Sequence, residues 1–250
     1  MNLEVGTLRA ILRRNKLWAN LQLDVRMLST STDVGRALTL EEQHRLEIAC
    51  LRSRSRSLGT IVTLTLNTGL RRMELRLLKW SQIDLMAKLL TVGQSKTQNG
   101  AGRVVPLNRR AYAAMQAWAA QFPNREPNHY VFPAERYGAS GDKFEAKAYS
   151  TDVMKPLHSF KEAWEHAKKA ADIKIRFHDL RHTAVTRMLE SGVPLPVVGA
   201  VMGWSAATMV RMSKIYGHFA DSSRRQAVDA ICAAVLSENA VPSMESERTQ

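Results

Sequence analysis

Residues 176–188 read RFHDLRHTAVTRM, and within them His178, Arg181 and His182 stand at i, i+3 and i+4. On a helix these three side chains share one face. Two imidazoles and a guanidinium placed together can hold an anion and move a proton beside it. A histidine pair at i, i+4 can also ligate zinc. No neighbouring glutamate and no third soft ligand accompanies this pair, so no metal is assigned. A second group lies in TGLRRMELRLLKW, residues 68–80, where Arg71 and Glu74 stand three apart just after Gly69. Backbone N–H groups at a helix start attract anions, and an arginine there adds a bidentate donor. Taken alone, the same spacing also describes an ordinary surface ion pair. Three more positions carry chemistry: Lys96 in SKTQNGAGRVVPL, Trp204 in VMGWSAATM and Tyr216 in KIYGHF. Taken singly, these describe a solvated lysine, a core tryptophan and a packing tyrosine as well as they describe a site.

The chain that must position these groups has 250 residues, 45% of them hydrophobic, which suffices for one sizeable core. Its 36 Lys and Arg against 23 Asp and Glu give a net charge of +13. That balance points to a polyanionic partner, nucleic acid before an anionic membrane surface. The only cysteines, Cys50 and Cys232, sit in apolar helical patterns and make neither a disulfide framework nor a zinc cluster. The N-terminus is amphipathic without an apolar signal core, and the most apolar run, IVTLTL at 61–66, is too short to span a bilayer. A cytoplasmic protein follows as the expectation.

The apolar spacing predicts one helix over 3–25, then a polar linker, STSTDVGRA, at 29–37. LTLEEQHRLEIAC starts a new helix, with Thr39 as cap and Glu42 three residues on. A buried helix is expected over 57–67, stopped by Gly69, and another from near Arg71 through MELRLLKW. KLLTVG and GRVVPL read as two strands joined by the loop that carries Lys96. NRRAYAAMQAWAAQF and PLHSFKEAWEHAKKAA read as helices, HYVFP as a short extended piece, and 138–152 as a loop. Pro194 opens a further helix, and residues 222–237 form the last one. The fold class is mainly α with a small antiparallel β-sheet (α+β). The expected organisation is a remnant helix and linker over 1–36, a catalytic domain over 37–240 and a polar tail over 241–250.

Taken together, the order and spacing of these groups resemble the tyrosine recombinases, also called phage integrases, across residues 38–238. TGLRRMEL resembles the family's T-G-x-R-x-x-E-L box, and HDLRHTAVTRMLESGVPLPVVGAVMGW its H-x-x-R box followed by Gly-His or Gly-Trp. Tyr216-Gly217-His218 matches the tyrosine context. One departure is the twelve positions from Trp204 to Tyr216, more than the family usually spends; these call for an extra helical turn or a looser loop. Tyr216 is still the only tyrosine after the second box.

The resemblance implies the catalytic-domain fold of that family and a site-specific recombinase that cleaves and rejoins DNA through a 3′-phosphotyrosine, without metal, ATP or another cofactor. Arg71 and Arg181 match the phosphate-clamping arginines, and Glu74 the acid that supports the first. Lys96 matches the hairpin lysine, a general acid for the leaving 5′-oxygen. His178 matches the histidine that accepts or relays the tyrosine proton. Trp204 would donate to a phosphate oxygen or buttress the nucleophile, Tyr216. His182 reads as a packing or hydrogen-bonding residue of the same helix. Arg103, Arg109, Arg110, Lys155 and Lys174 are candidate contacts to the DNA backbone. The partners implied are double-stranded DNA and a homotetramer on it, monomeric when free, docked through 222–237 with Ile231, Ala234 and Val235 as an apolar face. An intramolecular helix accounts for the same face. The chain starts inside what resembles the last helix of an N-terminal clamping domain, so weak DNA binding by this chain alone is expected. Two alternatives stay open at this point: relaxation of DNA in the manner of a type IB topoisomerase, and an idle DNA-binding remnant.

Overall fold

The computed structural model describes residues 2–22, 24–25, 35–95, 98–137 and 148–216. The Cα positions divide into two compact units, before and after the Val34–Gly35 bond. In the first, helix α1 (Asn2–Arg14) leads to a single 3-10 turn at Trp18–Asn20. The one helix expected over 3–25 therefore stops early. Lys16 takes a left-handed φ of 59°, which no helix continues through. Arg9 stacks its guanidinium 5.2 Å from the Trp18 ring centroid, while Leu8 and Ile11 stay exposed.

The second unit is built around α3 (Leu58–Thr68), whose Leu58, Ile61, Val62, Leu64 and Leu66 are all buried. A helix apolar on so many sides has to be surrounded. It is packed by α2 (Leu40–Leu51), α5 (Arg109–Ala120) and α7 (Phe177–Glu190). Thr39 caps α2 by accepting from the Glu42 N–H at 3.1 Å, and the Glu42 carboxylate accepts from the Thr39 N–H at 3.0 Å. The core continues through Trp118, whose indole donates to the Val131 carbonyl at 2.6 Å.

Helix α4 (Arg72–Arg76) is one turn, not the longer helix expected through Trp80. Beyond Leu77 the backbone pairs with a neighbouring segment. Val131 N–H donates to Leu78 O at 2.8 Å and Trp80 N–H to His129 O at 3.0 Å. Strands β1 (Ile83–Asp84), β2 (Leu89–Thr91) and β3 (Val104–Pro106) form the small antiparallel sheet in the order β1-β2-β3. A second antiparallel pair, β4 (Pro133–Tyr137) with β5 (Ala148–Pro156), takes up 148–152 of the loop expected over 138–152, and 138–147 lie outside the described residues. Helices α6 (Lys161–Ala170), α8 (Leu195–Met202) and α9 (Ala206–Tyr216) complete the described part. A small second cluster joins α7, α8 and α9 through Val185, Val198, Met202 and Tyr216. The chain is thus mostly helical with small antiparallel sheets. The expected helix over 222–237 lies outside the described residues, as does the expected tail over 241–250.

Gly69 ends α3 at φ 65°, and a Cβ there would come within 2.3 Å of Met202 Cε. Gly69→Ala is expected to lower stability by about 1–2 kcal/mol from the left-handed backbone alone, with displacement of Met202 adding to it; urea unfolding of both proteins measures this.

Candidate active site

The loop from Gly69 to Arg71 joins the end of α3 to the start of α4, and its Gly69 carbonyl accepts from Arg181 in the first turns of α7. Arg71 is the extended residue before α4, with its N–H donating to Glu74 Oε2 at 2.9 Å. This satisfies an end group of a very short helix and fixes Glu74 below the Arg71 side chain. Arg71 Nη1 then donates to Glu74 Oε1 at 2.7 Å and to Ser95 Oγ at 3.3 Å. The Ser95 hydroxyl donates to the same carboxylate oxygen at 2.7 Å.

Helix α7 starts by a similar device. Arg176 precedes it, and its N–H donates to Asp179 Oδ2 at 2.8 Å. That start places Arg181 one turn into the helix, where it is buried beneath the loop. Its guanidinium donates to the carbonyls of Gly69 and Met202, the ends of α3 and α8. Two of its five N–H groups are so used, and the rest have no partner among the described residues. Burial, then the charges of Arg71 and Arg103, push the Arg181 pKa down to about 9. It remains a cation at neutral pH, but one in need of an anion. Arg71 and Arg181, far apart in sequence, thus lie near enough for their charges to oppose each other.

Tyr216, the last described residue of α9, is buried, and its hydroxyl lies 2.9 Å from His182 Nδ1. His182, expected to pack or bond within its own helix, thus pairs across to the phenol of α9. Desolvation raises the phenol pKa, opposed by a hydrogen bond with Thr186 and by the charge of Arg181. Desolvation lowers the His182 pKa, so its imidazole is neutral and can accept. His178 is exposed at the residue level, edge-on to His182 with ring centroids 5.2 Å apart. Desolvation, then His182 and Arg181, bring the His178 pKa down to about 4. Trp204 is half-buried against the cluster that contains Tyr216, and its indole N–H makes no hydrogen bond among the described residues. The twelve positions between Trp204 and Tyr216 are taken up mostly by the eleven residues of α9. Lys96 lies outside the described residues.

One expected DNA contact is corrected. Arg103 is buried, with 6% of its side chain exposed, and is paired with Glu74 Oε2 at 2.7 Å. A guanidinium committed to an internal carboxylate does not reach a DNA backbone. Arg109 and Lys174 are exposed. Arg110 is bound by both carboxylate oxygens of Glu47 at 2.9 and 2.8 Å, and Lys155 by Asp152 at 3.0 Å; these are surface pairs of little energetic weight. Sequence reasoning missed Ser95 and the inward role of Arg103. Among the described residues no group of three or more His, Cys, Asp or Glu is gathered as a metal ion would need, and no helix is long and apolar enough to cross a membrane.

A buried arginine, a half-buried one near it and a phenol hydrogen-bonded to an imidazole are thus gathered from α4, α7 and α9. Residues 36–222 match the phage integrase family, and the chain belongs to that family. The integrase of Salmonella phage P22 is 34% identical over 166 residues, covering 65% of this chain and 39% of its own length. The shufflon-specific DNA recombinase of Escherichia coli is 31% identical over 189 residues, covering 75% and 42%. The chain thus spans about two fifths of the length of these relatives. Among solved structures, the catalytic domain of bacteriophage HP1 integrase superposes with a TM-score of 0.53 at 24% identity, over 78% of this chain and 94% of that domain, which speaks to the fold.

Burial pushes the Glu74 pKa up, but hydrogen bonds from Arg103, the Arg71 N–H and Ser95 outweigh it and hold it at about 2. The unfolded carboxyl titrates near pH ~4.3. The stabilisation is complete above that pH and is lost as pH falls toward 2. Glu74→Gln is expected to abolish this acid-side slope in thermal melts and, by leaving Arg103 buried and unpaired, to cost about 3–5 kcal/mol at pH 7.

Proposed function

We propose that this chain carries the strand-transfer centre of a site-specific DNA recombinase. The observation that supports it most is the nearness of Arg71 and Arg181, each with N–H donors that no described residue takes up. In the reaction, Tyr216 Oη attacks the scissile phosphorus. The Oη–P bond forms, the P–O5′ bond breaks, and the strand is kept as a 3′-phosphotyrosine. The phenol proton passes to His182, with His178 beside it as the relay toward solvent. The leaving 5′-oxygen takes a proton from Lys96. Attack by a free 5′-hydroxyl reverses these steps on a new partner, so the bond energy is conserved and no nucleotide is consumed. Arg71 and Arg181 meet the charge that builds on the non-bridging oxygens. Guanidiniums suit this role, being planar, bidentate and charged throughout.

Arg109 and Lys174 are the exposed cations best suited to track the DNA backbone, with Arg110 and Lys155 able to exchange their surface carboxylates for phosphate. Such binding depends steeply on salt. A homotetramer on DNA, the assembly the resemblance implies, would depend on residues 222–237, outside the described residues. Recombination is favoured over DNA relaxation because the relatives named are an integrase and a DNA recombinase.

A DNA duplex nicked near the cleavage position lets the 5′-fragment diffuse away and traps the first step. The wild-type chain is expected to become covalently linked to this DNA, and Tyr216→Phe to form no adduct. Arg181→Lys is expected to slow trapping by about 100- to 1000-fold, the loss typical of one transition-state donor. Adduct formation by Tyr216→Phe would refute the assignment of the nucleophile. In the same assay His182→Ala is expected to slow trapping by roughly 100-fold or more at pH 7, the contribution of a positioned base, with partial recovery at higher pH as the phenol ionises unaided.

A further inference from the structure

Arg103 spends its guanidinium entirely inside the protein. Nη1 and Nη2 hold Glu74 Oε1 at 3.0 Å and Oε2 at 2.7 Å, Nη1 also donates to Gly100 O at 2.7 Å, and Nε donates to Val201 O at 3.0 Å. Four hydrogen bonds from one side chain thus join α4, the β2–β3 connection and α8. Glu74, with 1% of its side chain exposed, has two other partners, Arg71 and Ser95, and both of those are only half-buried. Without Arg103 the carboxylate would be held from its solvent-facing side alone. The neighbouring glycine reports the same closeness. Gly203, at φ 62°, would with a Cβ come within 2.8 Å of Gly100 Cα and 3.0 Å of Arg103 Cδ. The glycine before Trp204 is therefore the surface against which Arg103 is seated.

We propose that Arg103 is a positioning residue of the strand-transfer site: it locks the Glu74 carboxylate in place, and Glu74 in turn aims the Arg71 guanidinium at the scissile phosphate. This rests on Arg71 acting as a phosphate ligand. Arg103 itself touches neither DNA nor the nucleophile. Its replacement acts through geometry, and a displacement of ~1 Å at a reacting centre costs about 100-fold in rate. Arg103→Lys keeps the charge but not the fork that grips two carboxylate oxygens and two carbonyls, so it does not restore the lock.

The test compares wild type, R103K and R103M in single-turnover trapping on the nicked duplex at saturating DNA, below the melting temperature of each. R103M is expected to trap DNA about 100-fold more slowly, and R103K at least 10-fold more slowly, while the DNA dissociation constant changes less than about threefold. On a duplex with a methylphosphonate at the scissile position there is no phosphate charge for Arg71 to neutralise, and the penalty is expected to shrink to below about threefold. Trapping by R103M within about threefold of wild type would overturn the proposal. So would an equal penalty on the methylphosphonate, which marks a general structural defect. So would a loss confined to DNA affinity, with the salt slope falling by about one, which marks a phosphate contact. If R103M does not fold, R103K decides by the same readouts; if neither folds, Arg103 is a stability residue and the proposal fails. A wild-type chain that traps no DNA refutes the strand-transfer reading and this proposal with it; normal wild-type trapping with unchanged variants refutes this proposal alone.

Discussion

A carboxylate removed from water is costly unless charge and hydrogen bonds replace its hydration. Glu74 meets that condition with four donors: the Arg71 backbone, the Arg71 side chain, Ser95 and the Arg103 fork. The donors come from two pieces of chain, the start of α4 and the β2–β3 connection, so the carboxylate can be satisfied only when both are in place. Helix α4, the β2–β3 connection and α8 are consequently fixed relative to one another around a single residue. The short helix α4 is stable in this setting because its first turn is tied down, although five residues form no helix in isolation.

Arg181 performs the complementary task from α7. It closes the ends of α3 and α8 by donating to Gly69 and Met202, carbonyls that helix termini leave without intrahelical partners. The same two helices end in left-handed glycines, Gly69 and Gly203, which turn the backbone away and leave those carbonyls pointing at the guanidinium. A side chain that satisfies backbone groups on two helices is held in one orientation. The free N–H groups of Arg181 are then presented without conformational search, which is what preorganised stabilisation of a charged transition state requires.

Much of this was readable in the sequence, and the exceptions have physical causes. The two boxes announced Arg71, Glu74, His178 and Arg181 because each box is local, Arg71 and Glu74 at the start of α4 and His178 and Arg181 three apart in the first turns of α7. The Thr39–Glu42 cap and the stop at Gly69 were local in the same sense. Arg103 was not, since nothing near it says that Glu74 and the end of α8 will close over it; an arginine between strand residues reads as exposed. The Tyr216–His182 bond depends on how α9 folds back on α7, a tertiary matter. Strands β4 and β5 escaped notice because β5, over residues 150–156, has no fully buried side chain to impose an alternating pattern. Helix α4 was overestimated because backbone pairing with 129–131 competes with helix propensity after Leu77.

The charges of the pocket explain why its ground state differs from the state in which it would act. Arg71, Arg103 and Arg181 face a single carboxylate, leaving an excess of positive charge that burial makes more costly. Burial and the neighbouring cations depress the Arg181 pKa, while burial raises that of Tyr216 against the charge of Arg181. Burial works against the charged form of each, and among the described residues no anion answers Arg181 directly. A phosphodiester entering the pocket would supply the missing charge to the arginines, and the developing phenolate would meet the field of Arg181 as its proton moves to a neutral imidazole. The binding of DNA and the activation of the nucleophile would then be coupled through the same guanidinium, so that Tyr216 becomes reactive chiefly when there is a phosphate for it to attack.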